Sequence, residues 1–174
     1  MTAGECRTVF KGRIITVTVE AVDLPNGSHL EMEIIRHPGG AAVVALNESG
    51  HVCLLYQYRH AMGGWLWELP AGKIEHGESP LQTARHELEE EAGVSATAWR
   101  ELGTIVSSPG VFNERVHLFL ATGLRDGRQK AEKNEVFERH WIPFDEALAW
   151  VQEGKVEDAK SVAALFRARR HVAV

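Results

Sequence analysis

GKIEHGESPLQTARHELEEEAGV, residues Gly72–Val94, decides the reading of this chain. Glu87, Glu90 and Glu91 are spaced i, i+3, i+4, which places three carboxylates on one face of a helix. Like charges at that spacing repel, so the arrangement calls for a compensating cation. A hard, oxygen-preferring ion such as magnesium is the natural candidate, held together with substrate phosphates. The surrounding residues define the helix. Ser79 is a good N-cap, Pro80 occupies the favoured first helical position, and Gln82 completes a capping box. Leu81, Ala84, Leu88 and Ala92 make an apolar stripe on the opposite side, and Gly93 supplies the stop. A glutamate-rich helix face is by itself usually a solvated surface. The fixed spacing from Gly72 through Glu78 to Gly93 argues for a site instead.

That spacing resembles the Nudix box: glycine, five residues, glutamate, seven residues, then Arg-Glu-apolar-x-Glu-Glu-x-Gly-apolar. Gly72, Glu78, Glu87, Leu88, Glu90, Glu91, Gly93 and Val94 fall in register. One position departs, because His86 stands where the family has arginine. In the family that arginine pairs with a glutamate to hold the loop and helix together. Imidazole is mostly neutral at pH 7, and Arg85 points about 100° away around the helix. The departure leaves every metal ligand implied by the resemblance in place: Glu87 and Glu91 as the main ones, Glu90 assisting, and the Ala71 carbonyl contributing. Magnesium is the implied ion, with manganese as the alternative.

Working outward, Leu66-Trp67-Glu68-Leu69-Pro70-Ala71 leads into the box, and Gln57-Tyr58-Arg59 lies just upstream. Ser107-Ser108-Pro109-Gly110 follows it, then Asn113-Glu114-Arg115. The position of Pro109 is similar to the marker of the ADP-ribose pyrophosphatase subgroup. An N-terminal β-hairpin before the box matches that subgroup's extension, which packs between the subunits of a homodimer. The implied reaction is magnesium-dependent hydrolysis of the diphosphate of ADP-ribose to AMP and ribose 5-phosphate. GDP-mannose and UDP-glucose hydrolases share much of this pattern, and a non-catalytic nucleotide-sugar sensor is the reading from a different class. Housecleaning of oxidised nucleoside triphosphates fits the box but neither the hairpin nor the Pro109 region.

Substrate contacts are expected from Arg59, whose planar fork suits phosphate oxygens, and from Arg36, in the same or the partner subunit. Glu114 is a further candidate. Trp65 follows Gly63-Gly64, so its ring is placed to stack on a base or to line an interface. The resemblance implies a general base in the loop after the box, here Arg125–Glu138, with Glu132 and Glu135 as candidates beside Glu91 in the catalytic set. Glu78 is expected to brace the loop and helix.

The rest of the chain reads as short strands with helices near the end. Strands are expected within Arg7–Val22 and over Leu30–Arg36, Ala41–Leu46, Val52–Tyr58, Trp65–Leu69, Trp99–Val106, Val116–Thr122 and Phe137–Ile142. Pro25-Asn26-Gly27 marks a turn. Helices follow from Pro143 to Val151 and from Asp158 to Arg170. This pattern predicts an α+β fold. The resemblance implies a Nudix-type α/β/α sandwich with a mixed sheet, residues 1–39 forming the N-terminal extension at a dimer interface and residues 40–174 the hydrolase domain.

With 174 residues and 44% hydrophobic content the chain can bury one sizeable core. A net charge of −5 argues against nonspecific binding to nucleic acid or a membrane surface. Cys6 and Cys53 offer neither a disulfide framework nor zinc spacing, and no N-terminal stretch reads as a signal peptide. The cytoplasm is therefore the expected compartment.

Overall fold

The computed structural model describes residues 6–129 and 135–172. Its centre is β4 (Gly40–Ala45), all six residues of which are buried. A strand buried on both faces must be apolar throughout rather than alternating, and AAVVA meets that requirement. Around it runs a four-stranded mixed sheet in the order β7 (Ala71–Lys73), β4, β9 (Arg115–Asp126), β8 (Val94–Val106). β4 pairs in parallel with β9, while the other two pairings are antiparallel. A second, antiparallel sheet has the order β10 (Phe137–Pro143), β5 (His51–Arg59), β6 (Gly64–Glu68).

The two faces of β4 pack against different helices. Ala41, Val43 and Ala45 join Ala84, Leu88 and Ala92 of α1 (Pro80–Ala92) in one core. Ala42 and Val44 join Phe144, Ala147 and Leu148 of α2 (Phe144–Gln152), and Ala164, Leu165 and Ala168 of α3 (Ala159–Ala168), in the other. The result is the α/β/α sandwich expected from the sequence. No helix among the described residues is long and apolar enough to cross a membrane.

The N-terminal extension differs from a hairpin. It is a three-stranded antiparallel meander of β1 (Cys6–Lys11), β2 (Thr16–Asp23) and β3 (His29–Arg36). The β2–β3 hairpin turns at Pro25-Asn26-Gly27 as expected, whereas Gly12–Ile15 closes a second turn inside the run that sequence alone left as one strand or two. The meander is tied to the rest at Ile35, whose N–H donates to the Val111 carbonyl (2.7 Å) and whose carbonyl accepts from the Asn113 N–H (3.1 Å). Two further strand segments escaped the sequence reading, β7 and the Val94–Ala98 start of β8. β7 is three residues long and contains a glycine, so it lacks the alternation that marks a strand.

At the N-terminus of α1 the Ser79 hydroxyl accepts from the Gln82 N–H (3.3 Å) and the Gln82 side chain accepts from the Ser79 N–H (2.9 Å). Gly93 ends the helix in the left-handed region at φ 66°. Ser79→Ala should therefore lower the unfolding free energy by about 1 kcal/mol, the ordinary cost of losing such a cap, and urea denaturation followed by circular dichroism measures it.

Candidate active site

β7, the loop from Ile74 to Ser79 and α1 bring the acidic side chains to one end of the central sheet. Glu91, in the last turn of α1, does not lie on a solvated face as helix spacing alone would place it. It is 1% exposed, and its Oε2 accepts the Ala71 N–H at 2.8 Å. Burial, then the nearby Glu87 charge, hold its pKa well above the usual carboxylate range; Glu135 adds to the rise, and the Ala71 N–H and Arg59 oppose it. Glu87 rests directly on the backbone of Gly72. A Cβ at position 72 would meet Glu87 Oε1 at 1.7 Å, so any larger residue there must displace the Glu87 carboxylate. Glu90 is half-buried and lines the same cleft.

The loop and helix are braced by Glu78. Its Oε2 accepts from the Thr83 hydroxyl (2.9 Å), and its Oε1 lies 3.0 Å from His86 Nδ1. His86 thus faces a glutamate, as the family's arginine does. Thr83 is a second partner that the sequence reading had not assigned.

The carboxylates open on a cleft of about 660 Å³. Its wall includes Arg59, Ala71, Glu87, Glu90, Glu114 and Glu135 from the expected set, together with Gly72 and Glu78. Arg59 donates through Nε and Nη2 to the two oxygens of Glu68 (2.8 and 2.9 Å). Glu68 is 2% exposed and also accepts from Lys160 Nζ (2.6 Å), which lies 3.0 Å from Asp158 Oδ1. Burial alone would raise the Glu68 pKa, yet Arg59 and Lys160 outweigh it and hold the carboxyl below its ordinary range. Burial would likewise discharge Lys160, but Asp158 and Glu68 keep its pKa above the usual lysine value. Lys160 and Asp158 line the cleft too. The sequence reading gave neither a role. The available signal was local: Asp158 caps α3, accepting from the Ser161 N–H at 3.0 Å, which turns Lys160 into the first helical turn beside it.

Toward the meander the wall changes character, with Ile14, His37, Ile105 and Val116 beside Glu114. His37 Nδ1 accepts the Gly39 N–H (3.1 Å) and lies 3.4 Å from Glu114 Oε1. Burial lowers the His37 pKa; Glu114 opposes the shift and Lys73 adds to it.

Two expected residues stand elsewhere, and Glu91 is buried and not itself part of the cleft lining. Arg36 is paired with Glu20 of the meander at 2.5 and 2.7 Å and is not in the cleft wall of its own chain. Trp65 stacks on Tyr56 (5.2 Å between centroids) and meets the edge of Tyr58, also outside that wall. Glu132 lies outside the described residues.

A divalent cation fits this donor set. Among the described residues no three His, Cys, Asp or Glu side chains form a finished metal cage. Magnesium does not need one, since it is usually bound through one or two carboxylates with water and substrate phosphates filling its shell. Glu91, buried beside Glu87 and drawn toward protonation, is a carboxylate whose charge a cation would stabilise. Glu87, Glu90 and Glu91 are the side chains that would hold it.

A NUDIX domain is matched over residues 36–166. The chain is 37% identical over 159 residues to a methanol dehydrogenase activator of Bacillus methanolicus, and equally to an ADP-ribose pyrophosphatase of Bacillus subtilis (strain 168). Each of these alignments covers 90% of this chain and 86% of the relative. It is also 37% identical over 162 residues to an ADP-ribose pyrophosphatase of Mycobacterium tuberculosis, covering 91% of this chain and 78% of the relative. In fold it is similar to a solved ADP compounds hydrolase, with a TM-score of 0.83, 23% identity, and 98% of this chain and 92% of that chain covered.

Gly72→Ala should push Glu87 off its seat without unfolding the protein. Metal affinity is expected to fall by roughly 10- to 100-fold, as when a ligand loses its support; isothermal titration with manganese, alongside a thermal melt, measures both quantities.

Proposed function

The chain belongs to the Nudix family, and on that premise we propose that it hydrolyses the diphosphate of ADP-ribose, giving AMP and ribose 5-phosphate. The observation that carries this reading is one cleft lined by Arg59, Glu87 and Glu90, with the buried carboxylate of Glu91 beside Glu87. The named activity of two relatives at 37% identity favours ADP-ribose over GDP-mannose or UDP-glucose.

The chemistry follows from those charges. Enzymes of this family work with a divalent metal, and we take magnesium as the ion, with manganese able to replace it. When bound, such an ion offsets the charge of the diphosphate and lowers the pKa of water. Arg59 contacts the phosphate oxygens with the part of its guanidinium that Glu68 does not use. Glu135 lines the cleft and its charge acts on Glu91, which supports the reading that it takes a proton from the attacking water. The water oxygen bonds to one phosphorus, the bridging oxygen leaves with the other phosphate, and both products carry a phosphate monoester. Glu132 is the alternative base from the same loop.

Two assignments go with this reading. The protein works as a homodimer through its N-terminal meander, residues 1–39 forming that extension and residues 40–174 the hydrolase domain. Exposed Val9, Phe10 and Ile14, each at 55%, support an apolar contact there. In that dimer Arg36 and Trp65 meet the substrate or line the interface. A sensor that does not cleave is the lesser reading, because His86 still braces Glu78 and the full set of acidic residues is kept.

Product analysis with magnesium and ADP-ribose, GDP-mannose or UDP-glucose in parallel is the direct test. AMP and ribose 5-phosphate should form fastest from ADP-ribose; faster cleavage of another sugar nucleotide would move the substrate and keep the mechanism. Glu91→Gln is expected to cut turnover by more than about 10²-fold, the scale of losing a main electrostatic stabiliser, with circular dichroism unchanged. His86→Arg should keep or raise kcat, since it strengthens the pairing with Glu78; a clear loss in the steady-state assay would give histidine its own role.

A further inference from the structure

The cation wall of the cleft contains more than its arginine. Arg59, Glu68, Lys160 and Asp158 form one chain of contacts from the end of β5 through β6 to the start of α3, and their four formal charges cancel. Glu68 sits in the middle, almost fully buried, and divides its oxygens between two cations. Oε1 takes Arg59 Nε; Oε2 takes both Arg59 Nη2 and Lys160 Nζ. A buried carboxylate with one counter-ion concentrates its field on that ion, whereas a second cation relieves the first.

We propose that Lys160 is a positioning residue for the diphosphate, acting through Glu68 to hold the Arg59 guanidinium at the cleft wall with its charge available to a phosphate. This rests on the diphosphate-cleaving reading above, but not on which base or sugar the substrate carries. Without the Lys160 charge, Glu68 and Asp158 together would outweigh Arg59. The wall facing the diphosphate would then turn net negative, in a cleft already lined by Glu75, Glu87, Glu90 and Glu135. Ser161 fastens the wall to α3: the Leu69 N–H next to Glu68 donates to the Ser161 hydroxyl (2.8 Å), and that hydroxyl donates to Asp158 Oδ2 (2.5 Å). The contacts on either side of Lys160 thus fix the backbone that carries Glu68, and Lys160 fixes its charge.

The test uses inorganic pyrophosphate with magnesium as the probe, because it holds the diphosphate common to every candidate substrate. In Lys160→Gln, which keeps an N–H donor and removes the charge, pyrophosphate affinity should fall about tenfold, in line with the loss of a charge-assisted contact. KM for ADP-ribose should rise by a similar factor while kcat changes less than twofold. Lys160→Arg should restore both to within twofold of the unaltered chain. A folded Lys160→Gln protein with unchanged pyrophosphate affinity overturns the proposal, as would a loss confined to kcat. If Lys160→Gln does not fold, Lys160→Arg decides: a tenfold weaker affinity with the charge retained overturns it, and affinity within twofold supports it. If the unaltered chain leaves ADP-ribose intact while Lys160→Gln still weakens pyrophosphate binding, the substrate reading fails and this one stands.

Discussion

The hydrogen bond from the Ala71 amide to the buried carboxylate of Glu91 joins the two halves of the site, and the remaining geometry is arranged around it. It fixes the end of α1 to β7, and β7 is itself an edge strand paired to the central β4. Since β4 is buried on both faces and joins both cores, β7 is paired to a strand that cannot shift without opening them. The acidic cluster is therefore tied directly to the buried centre of the molecule. Such rigidity is needed where like charges are held together, because a looser scaffold would let them separate into water.

Glycine at position 72 follows from the same constraint. With Glu91 held on one side of the Ala71–Gly72 segment, Glu87 lies one helical turn earlier and falls on the glycine backbone itself. The opposing wall uses another solution to the same difficulty. There the buried Glu68 is neutralised by two cations of the protein, Arg59 and Lys160.

Much of this was legible in the sequence because it was local. The capping box, the Gly93 stop and the apolar stripe of α1 depend on spacings within one helix, and all three stand as read. The layered fold followed from strand and helix order together with the box. What could not be read depended on separations across the chain. Glu91 looks like a face residue in a helical projection, but β7 covers it, and β7 is too short to show a strand pattern. The pairing of Lys160 with Glu68 spans 92 residues and has no spacing rule to disclose it. The pairing of Arg36 with Glu20 across the β2–β3 hairpin is a further contact that no spacing rule discloses.

The histidine at position 86 shows why a departure from a motif need not weaken it. The arginine expected there would hold Glu78 by a permanent charge, and an imidazole near neutral pH supplies that charge only in part. In this chain Glu78 has a second partner, the hydroxyl of Thr83, on its other oxygen. That hydrogen bond does not depend on protonation, and Thr83 is fully buried, so its side chain has little freedom to leave. Two partners one turn apart on α1 hold the same carboxylate from both oxygens, and each limits the rotation that would break the other's contact. Glu78 is thus anchored in this chain without an arginine, by a buried threonine and a histidine together.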